Sequence, residues 1–373
     1  MDQPRADLPG PPLVRDWLPA VATGVGSMPG VDVRGTAQVV REELARDGGV
    51  PYLADLPARG PGSDLVGRAL GLLTAVWPAW AVETTPTGWR LCDAPGRDSR
   101  RAQGFLSEDL DVLEEVYDGW TGPLLLPMCG PWTLAAAVEL TSGERLLRDD
   151  GAIRDLLVSW GEAAAAHLGD VRRRLPHSEP AISMDEPSLS MVLAGAVPTA
   201  SGAMRYRAVD GAVVRTGISA AVDRIAADHA QVLVHCCAPT ANASEVPLRL
   251  LREAGVAAVG IDLALLGRDQ EEQLGEAVEA GQRIGLGLAG REVPVSDVAA
   301  SVDQVRDLGH RLGFAPQDLA AAVILTPPCG LADRSPEQAR TELAWLRGVG
   351  RALREQDPED SREGDPGRRE ARR

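Results

Sequence analysis

Eight short apolar or glycine-rich runs punctuate the chain: VATGVGS (21–27), PYLADLP (51–57), GPLLLPMCG (122–130), PAISMDEP (180–187), QVLVHCC (231–237), VAAVGIDL (256–263), RIGLGLAG (283–290) and AAVILTPPCG (321–330). Apolar runs of this length that stop at a turn predict buried strands. Between them, stretches such as TAQVVREELARD, DLDVLEEVYDG, RDLLVSWGEAAAAHLGDVRRRL, SEVPLRLLREAG and VSDVAASVDQVRDLGHRLG space their apolar residues as helices do. Eight strand–helix units predict an α/β fold, a TIM (β/α)8 barrel occupying residues 18–354. The second run is the weakest. Between it and the third lies an insertion carrying Trp77, Trp80 and Trp89, where AWAVETTPTGWRL predicts a hairpin over one end of the barrel. Residues 1–17 read as a flexible N-terminal segment, and 355–373, charged and nearly free of apolar residues, as a disordered tail.

Catalysts in such barrels sit at the C-terminal ends of the strands. Those ends carry Gly26 and Ser27, Asp185 and Glu186, His235 to Cys237, Asp262, and Cys329. Alternate residues of a strand share a face, which sends His235 and Cys237 one way and Cys236 toward the helical layer. With one carboxylate and one further thiolate, His235, Cys237, Asp262 and Cys329 form a ligand set suited to Zn2+. Cys92 and Cys129 fit no ligand spacing, and His167, His177, His229 and His310 fall on helices or loops without a partner motif. Gly285 to Gly290 spells G-x-G-x-x-G, yet Pro294 follows and the next helix starts only near Ser296, so it reads as a glycine-rich barrel strand and not as a dinucleotide loop.

Composition narrows the chemistry. The formal charge of −16 and pI near 4.8 argue against nucleic acid or an anionic membrane as partner. All 38 basic residues are Arg, which excludes lysine Schiff bases, pyridoxal-phosphate chemistry and Walker-type phosphate loops. Five cysteines in a long chain that opens without a secretory pattern indicate a reducing, cytoplasmic setting and no disulfide framework. Residues 119–138 carry no charge, but Pro123, Pro127 and Pro131 interrupt them, so a strand plus loop is expected and no membrane span.

In chain order, TGVGSMPG (23–30), GPWTL (130–134), MDEPSL (184–189), His235-x-Cys237 and CGLADR (329–334) resemble the motifs of the C-terminal catalytic barrel of the cobalamin-independent methionine synthase family. Together the blocks span roughly residues 20 to 350, and the large N-terminal half of the full-length family enzyme has no counterpart here. The resemblance implies an S-methyltransferase of methionine biosynthesis. Its partners would be homocysteine and a methyl donor, either a folate or a methyl-corrinoid. It further implies Zn2+ on His235, Cys237, Asp262 and Cys329, the substrate ammonium on Asp185, and its carboxylate on the Gly26–Ser27 loop.

Departures from the family pattern bear on the donor. Asp262 stands where the family has Glu; the Glu that grips the homocysteine amine falls near Gly67; and the folate-stacking Trp and folate-contacting Glu fall at Ala137 and Met191. No His follows the seventh run to serve as the family's proton shuttle. A corrinoid-protein:thiol methyltransferase of the same superfamily and a uroporphyrinogen-decarboxylase-like barrel enzyme are the alternative expectations.

Overall fold

The computed structural model describes residues 14–199, 202–237, 246–288 and 297–355. Its strands are β1 (Val21–Ala22), β2 (Val82–Thr85), β3 (Gly88–Leu91), β4 (Gly122–Cys129), β5 (Val138–Glu139), β6 (Ser178–Asp185), β7 (Val232–His235), β8 (Ala258–Asp262), β9 (Arg283–Gly287) and β10 (Val323–Thr326). Seven of them form one parallel sheet in the order β1-β10-β9-β8-β7-β6-β4. Helices connect successive strands, and the apolar strand interiors bury a single core.

The fold is thus α/β with a curled parallel sheet, and the eighth expected strand is where it departs from a regular barrel. PYLADLP forms no named strand. It reaches both sheet edges through isolated parallel bridges, Thr23 with Val50, Ser27 with Asp55, and Tyr52 with Leu125. Val50 N–H donates to Ala22, Leu53 N–H to Leu125, and Met28 N–H to Asp55. Two prolines in seven residues remove ladder donors, which accounts for bridges in place of a continuous strand. The segment therefore joins β1 to β4 and carries Asp55 to the same end as Ser27.

Opposite that end, Arg283 closes the sheet. Its guanidinium, 3% exposed, donates to the carbonyls of Val14 (3.0 Å), Trp17 (3.1 Å), Leu18 (3.0 Å) and Val323 (2.7 Å). Val14 and Trp17, inside the segment expected to be flexible, are buried by this contact; the remainder, 1–13, lies outside the described residues, as does 356–373 of the expected tail. AWAVETTPTGWRL forms the antiparallel hairpin β2–β3, which adds β5 as a parallel neighbour. Trp80 and Trp89 are buried and Trp77 is exposed. The uncharged stretch 119–138 forms β4 and then the helix Pro131–Ala137 where a loop was expected. Among the described residues no helix is long and apolar enough to cross a membrane.

The helix Pro131–Ala137 is tied to the end of β6 by Glu186. This carboxylate, fully buried, accepts from Trp132 N (2.9 Å), Thr133 N (2.7 Å) and Thr133 Oγ1 (2.7 Å), neutralising donors the helix cannot satisfy itself. Gly130 is glycine because a Cβ there would lie 2.3 Å from the Glu186 carboxyl. Glu186→Ala should lower unfolding stability by about 2–4 kcal/mol, since three buried donors lose their acceptor at once. Urea denaturation measures this, and a loss below about 0.5 kcal/mol would contradict the assignment.

Candidate functional site

Hydrogen-bond register places Cys129, Asp185, His235, Gly260 and Gly285 in one row across β4, β6, β7, β8 and β9. His235 is 6% exposed, and neither ring nitrogen has a hydrogen-bond partner among the described residues. Burial pushes its pKa down to about 4, so the imidazole is neutral near pH 7, the form that binds metal. Past the strand the alternation continues. Cys236 turns outward to Ser190 (Sγ···Oγ 3.8 Å), its thiol pushed up to about 12 by burial, while Cys237 Sγ stands 3.7 Å from Cys329 Sγ. Cys237 donates to Cys329, and this hydrogen bond raises the first thiol's pKa and lowers the second's.

The donor chemistry of these three residues fits zinc. Sulfurs each about 2.3 Å from a tetrahedral zinc stand about 3.8 Å apart, close to the spacing of this pair. His235 is a neutral nitrogen donor with no competing partner. Asp262 is less free, because its Oδ1 accepts from Ala264 N (2.9 Å) and caps the turn Leu263–Leu265. Among the described residues no three of His, Cys, Asp and Glu converge closely enough to hold a metal ion. Of the four residues expected as ligands, the two thiols are brought into contact and the carboxylate is engaged locally.

Two buried carboxylates interact at this end of the sheet, and the first of them also feels the charge of Cys329. Asp185 is 4% exposed; its Oδ1 has no partner among the described residues, and burial followed by the charge of Asp55 holds its pKa well above the usual carboxylate range. Asp55 is equally buried, Oδ2 is likewise unpartnered, and burial pushes its pKa up to about 6 against the attraction of Arg68. Two acids with open oxygens at one strand-end face make a place for a cation that carries hydrogens. Beside them Gly26 adopts φ +123°, where a Cβ would lie 3.1 Å from Asp55 Oδ1 and 3.0 Å from Pro127 Cβ. Ser27 accepts from Leu331 N (2.8 Å), joining this loop to the turn that bears Cys329. Among the described residues the Ser27 N–H donates to no acceptor.

Asp55 was not among the expected site residues, although it lies inside the second run two residues before the run closes at Pro57. Gly67, aligned with the family's amine-gripping Glu, lies elsewhere: a Cβ there would meet Gly62 at 2.6 Å and the Trp89 ring at 2.7 Å. Ala137 ends its helix with its carbonyl held by Arg145 (2.6 Å), and Met191 packs half-buried on the core. Glu186 is committed to the helix it caps. The segment after the seventh run, 289–296, lies outside the described residues.

Asp55 carries a pH signature with a definite sign. Its folded pKa near 6 exceeds the ordinary 3.8, so the folded state holds the proton more tightly and loses stability as pH rises through that window. Asp55→Asn should match the wild type below pH 4 and exceed it at pH 8, by up to about 3 kcal/mol. Thermal unfolding across pH reads this directly; equal stability at pH 8 would contradict the buried, unpaired state.

The model of the cobalamin-independent synthase catalytic domain matches residues 133–351, more than half of the chain, and covers Asp185, His235, Cys237, Asp262 and Cys329. No curated protein sequence matches. Among solved structures, a B12-independent methionine synthase from Shewanella sp. W3-18-1 in complex with selenomethionine superposes with a TM-score of 0.57 at 12% identity, covering 90% of this chain and 98% of that one. At that identity the likeness shows the fold, a TIM barrel. An oxaloacetate acetylhydrolase in complex with oxalate reaches a TM-score of only 0.37 at 13% identity over 95% of this chain and 85% of that one. The chain belongs to the cobalamin-independent synthase family, as its catalytic domain, and is a methyltransferase.

Proposed function

We propose that this chain transfers a methyl group to the thiol of homocysteine, giving methionine, at a zinc site held by Cys237, Cys329 and His235. The observation that carries this is the 3.7 Å thiol pair, one member of which lies two residues beyond a buried imidazole with no partner, at a strand end in register with Asp185. Asp262 is the fourth donor in this reading, through the oxygen not used to cap its turn. Zinc, when bound, supplies a Lewis acid that removes the substrate thiol's proton at neutral pH without redox chemistry.

The rest falls to the protein. Asp185 and Asp55, buried with open oxygens, receive the amino group, and the incoming ammonium compensates the burial that chiefly raises both carboxyls. The Gly26–Ser27 loop offers the Ser27 N–H to the substrate carboxylate. Glu186, by holding the helix Pro131–Ala137 against the end of β6, fixes the backbone from which Asp185 projects. That the Shewanella enzyme was solved with selenomethionine, a methionine analogue, supports the same product class here.

The donor in this reading is a methylated corrinoid or a simpler methyl carrier in place of folate polyglutamate. Folate's nitrogen must be protonated before it leaves, so its use needs a positioned acid and a flat aromatic platform. Ala137 and Met191 supply neither, Trp80 and Trp89 are buried, and Glu186 is occupied. Zinc-loaded protein assayed for methionine with both donors in parallel should turn over methylcobalamin, and Cys237→Ala should abolish that turnover. Efficient turnover with folate alone would overturn the donor assignment, and no methionine from either donor would overturn the proposed reaction.

A further inference from the structure

The glycines of β8 and β9 belong to no binding motif, yet what each would strike if it had a side chain is informative. A Cβ on Gly260 would lie 2.9 Å from His235 Nδ1, and its next neighbours are His235 Cα at 3.5 Å and Cβ at 3.6 Å. The three nearest atoms thus all belong to His235. Gly260 sits within a regular strand and outside the left-handed region, so an alanine would suit its backbone. The contact under 3.0 Å that a side chain here would make is therefore with the imidazole. One strand further, a Cβ on Gly285 would lie 2.9 Å from Gly260 Cα and would push that backbone toward the ring. Gly287 does the same for the other arm of the site, where a Cβ would lie 2.6 Å from Pro328 Cα, the residue before Cys329. The second and independent observation is His235 itself, buried with both nitrogens unpartnered. With no hydrogen bond to orient it, the ring is held by shape.

We propose that Gly260 is a positioning residue that fixes the His235 imidazole by leaving the space it occupies, backed by Gly285 on the neighbouring strand. The proposal rests on the zinc reading above for its consequence, though not for its geometry. A ligand held by packing alone loses its aim when the packing is disturbed, and supporting-shell changes typically cost about 10–100-fold in metal affinity. The G-x-G of β9, which does not open a dinucleotide loop, acquires its meaning here as close backbone approach.

The test uses the full chain and the metal alone. Zinc affinity, read by competition with a chromophoric chelator, should fall about 10–100-fold in Gly260→Ala. It should stay at the wild-type value in Gly267→Ala, where a Cβ meets nothing within 4 Å. In a His235→Ala background the Gly260→Ala change should have no further effect on affinity. Thermal unfolding of the metal-free proteins gives an independent reading: Gly260→Ala should lower Tm when His235 is present and leave it unchanged or raised when His235 is Ala. Unaltered zinc affinity in Gly260→Ala, or an equal Tm penalty in both backgrounds, would overturn the proposal. Absence of zinc from the wild-type chain would overturn the metal reading instead, and the two Tm values would then decide the steric role by themselves.

Discussion

Buried polar groups are ordinarily paired, and the architecture of this protein turns on a few that are not. At one end of the sheet, Asp55, Asp185 and His235 are each at least nine-tenths buried and each keeps a nitrogen or oxygen without a partner among the described residues. Such groups cost free energy unless something satisfies them. Their cost must be carried by the rest of the fold, and at the opposite end the terminal nitrogens of Arg283, equally buried, donate to four backbone carbonyls, while its Nε has no partner among the described residues. The two ends thus differ in kind: one is tied to the backbone through Arg283, and the other gathers acidic and imidazole groups with open atoms.

That asymmetry explains why neighbouring residues of one motif do different work. Asp185 and Glu186 are adjacent, both buried and both acidic. Glu186 is spent on the N-terminus of the helix Pro131–Ala137, while Asp185, one residue earlier on β6, faces the site with an open oxygen. Cys236 and Cys237 divide in the same way, one packed at Ser190 and one at Cys329. Strand alternation enforces both divisions, and substitutions at the two members of each pair should not be read as equivalent.

How much of this could be read from the chain follows the same physics. Strand ends marked by reactive residues were legible because each apolar run is short and stops abruptly, and the runs ending in Asp185, His235 and Asp262 became strands ending at those residues. The opposed faces of Cys236 and Cys237 followed from alternation alone. Asp55 was not legible as a site residue because its run, broken by two prolines, forms bridges in place of a strand, and those bridges are long-range pairings with β1 and β4. Nor could the chain show that Asp262 caps its own turn, since that depends on the backbone just after β8. The burial of Val14 and Trp17 depends on Arg283, some 270 residues away, which no local pattern reveals.

The central claim is that Cys237 and Cys329 form the sulfur half of a zinc site that accepts a substrate thiol. X-ray absorption at the zinc edge, recorded on the purified full chain before and after adding homocysteine, tests it most directly. The account predicts two sulfur neighbours at about 2.3 Å without substrate and three with it, the remaining neighbours being nitrogen or oxygen. A sulfur count that does not change on adding homocysteine, or a resting site without two sulfurs, would contradict it.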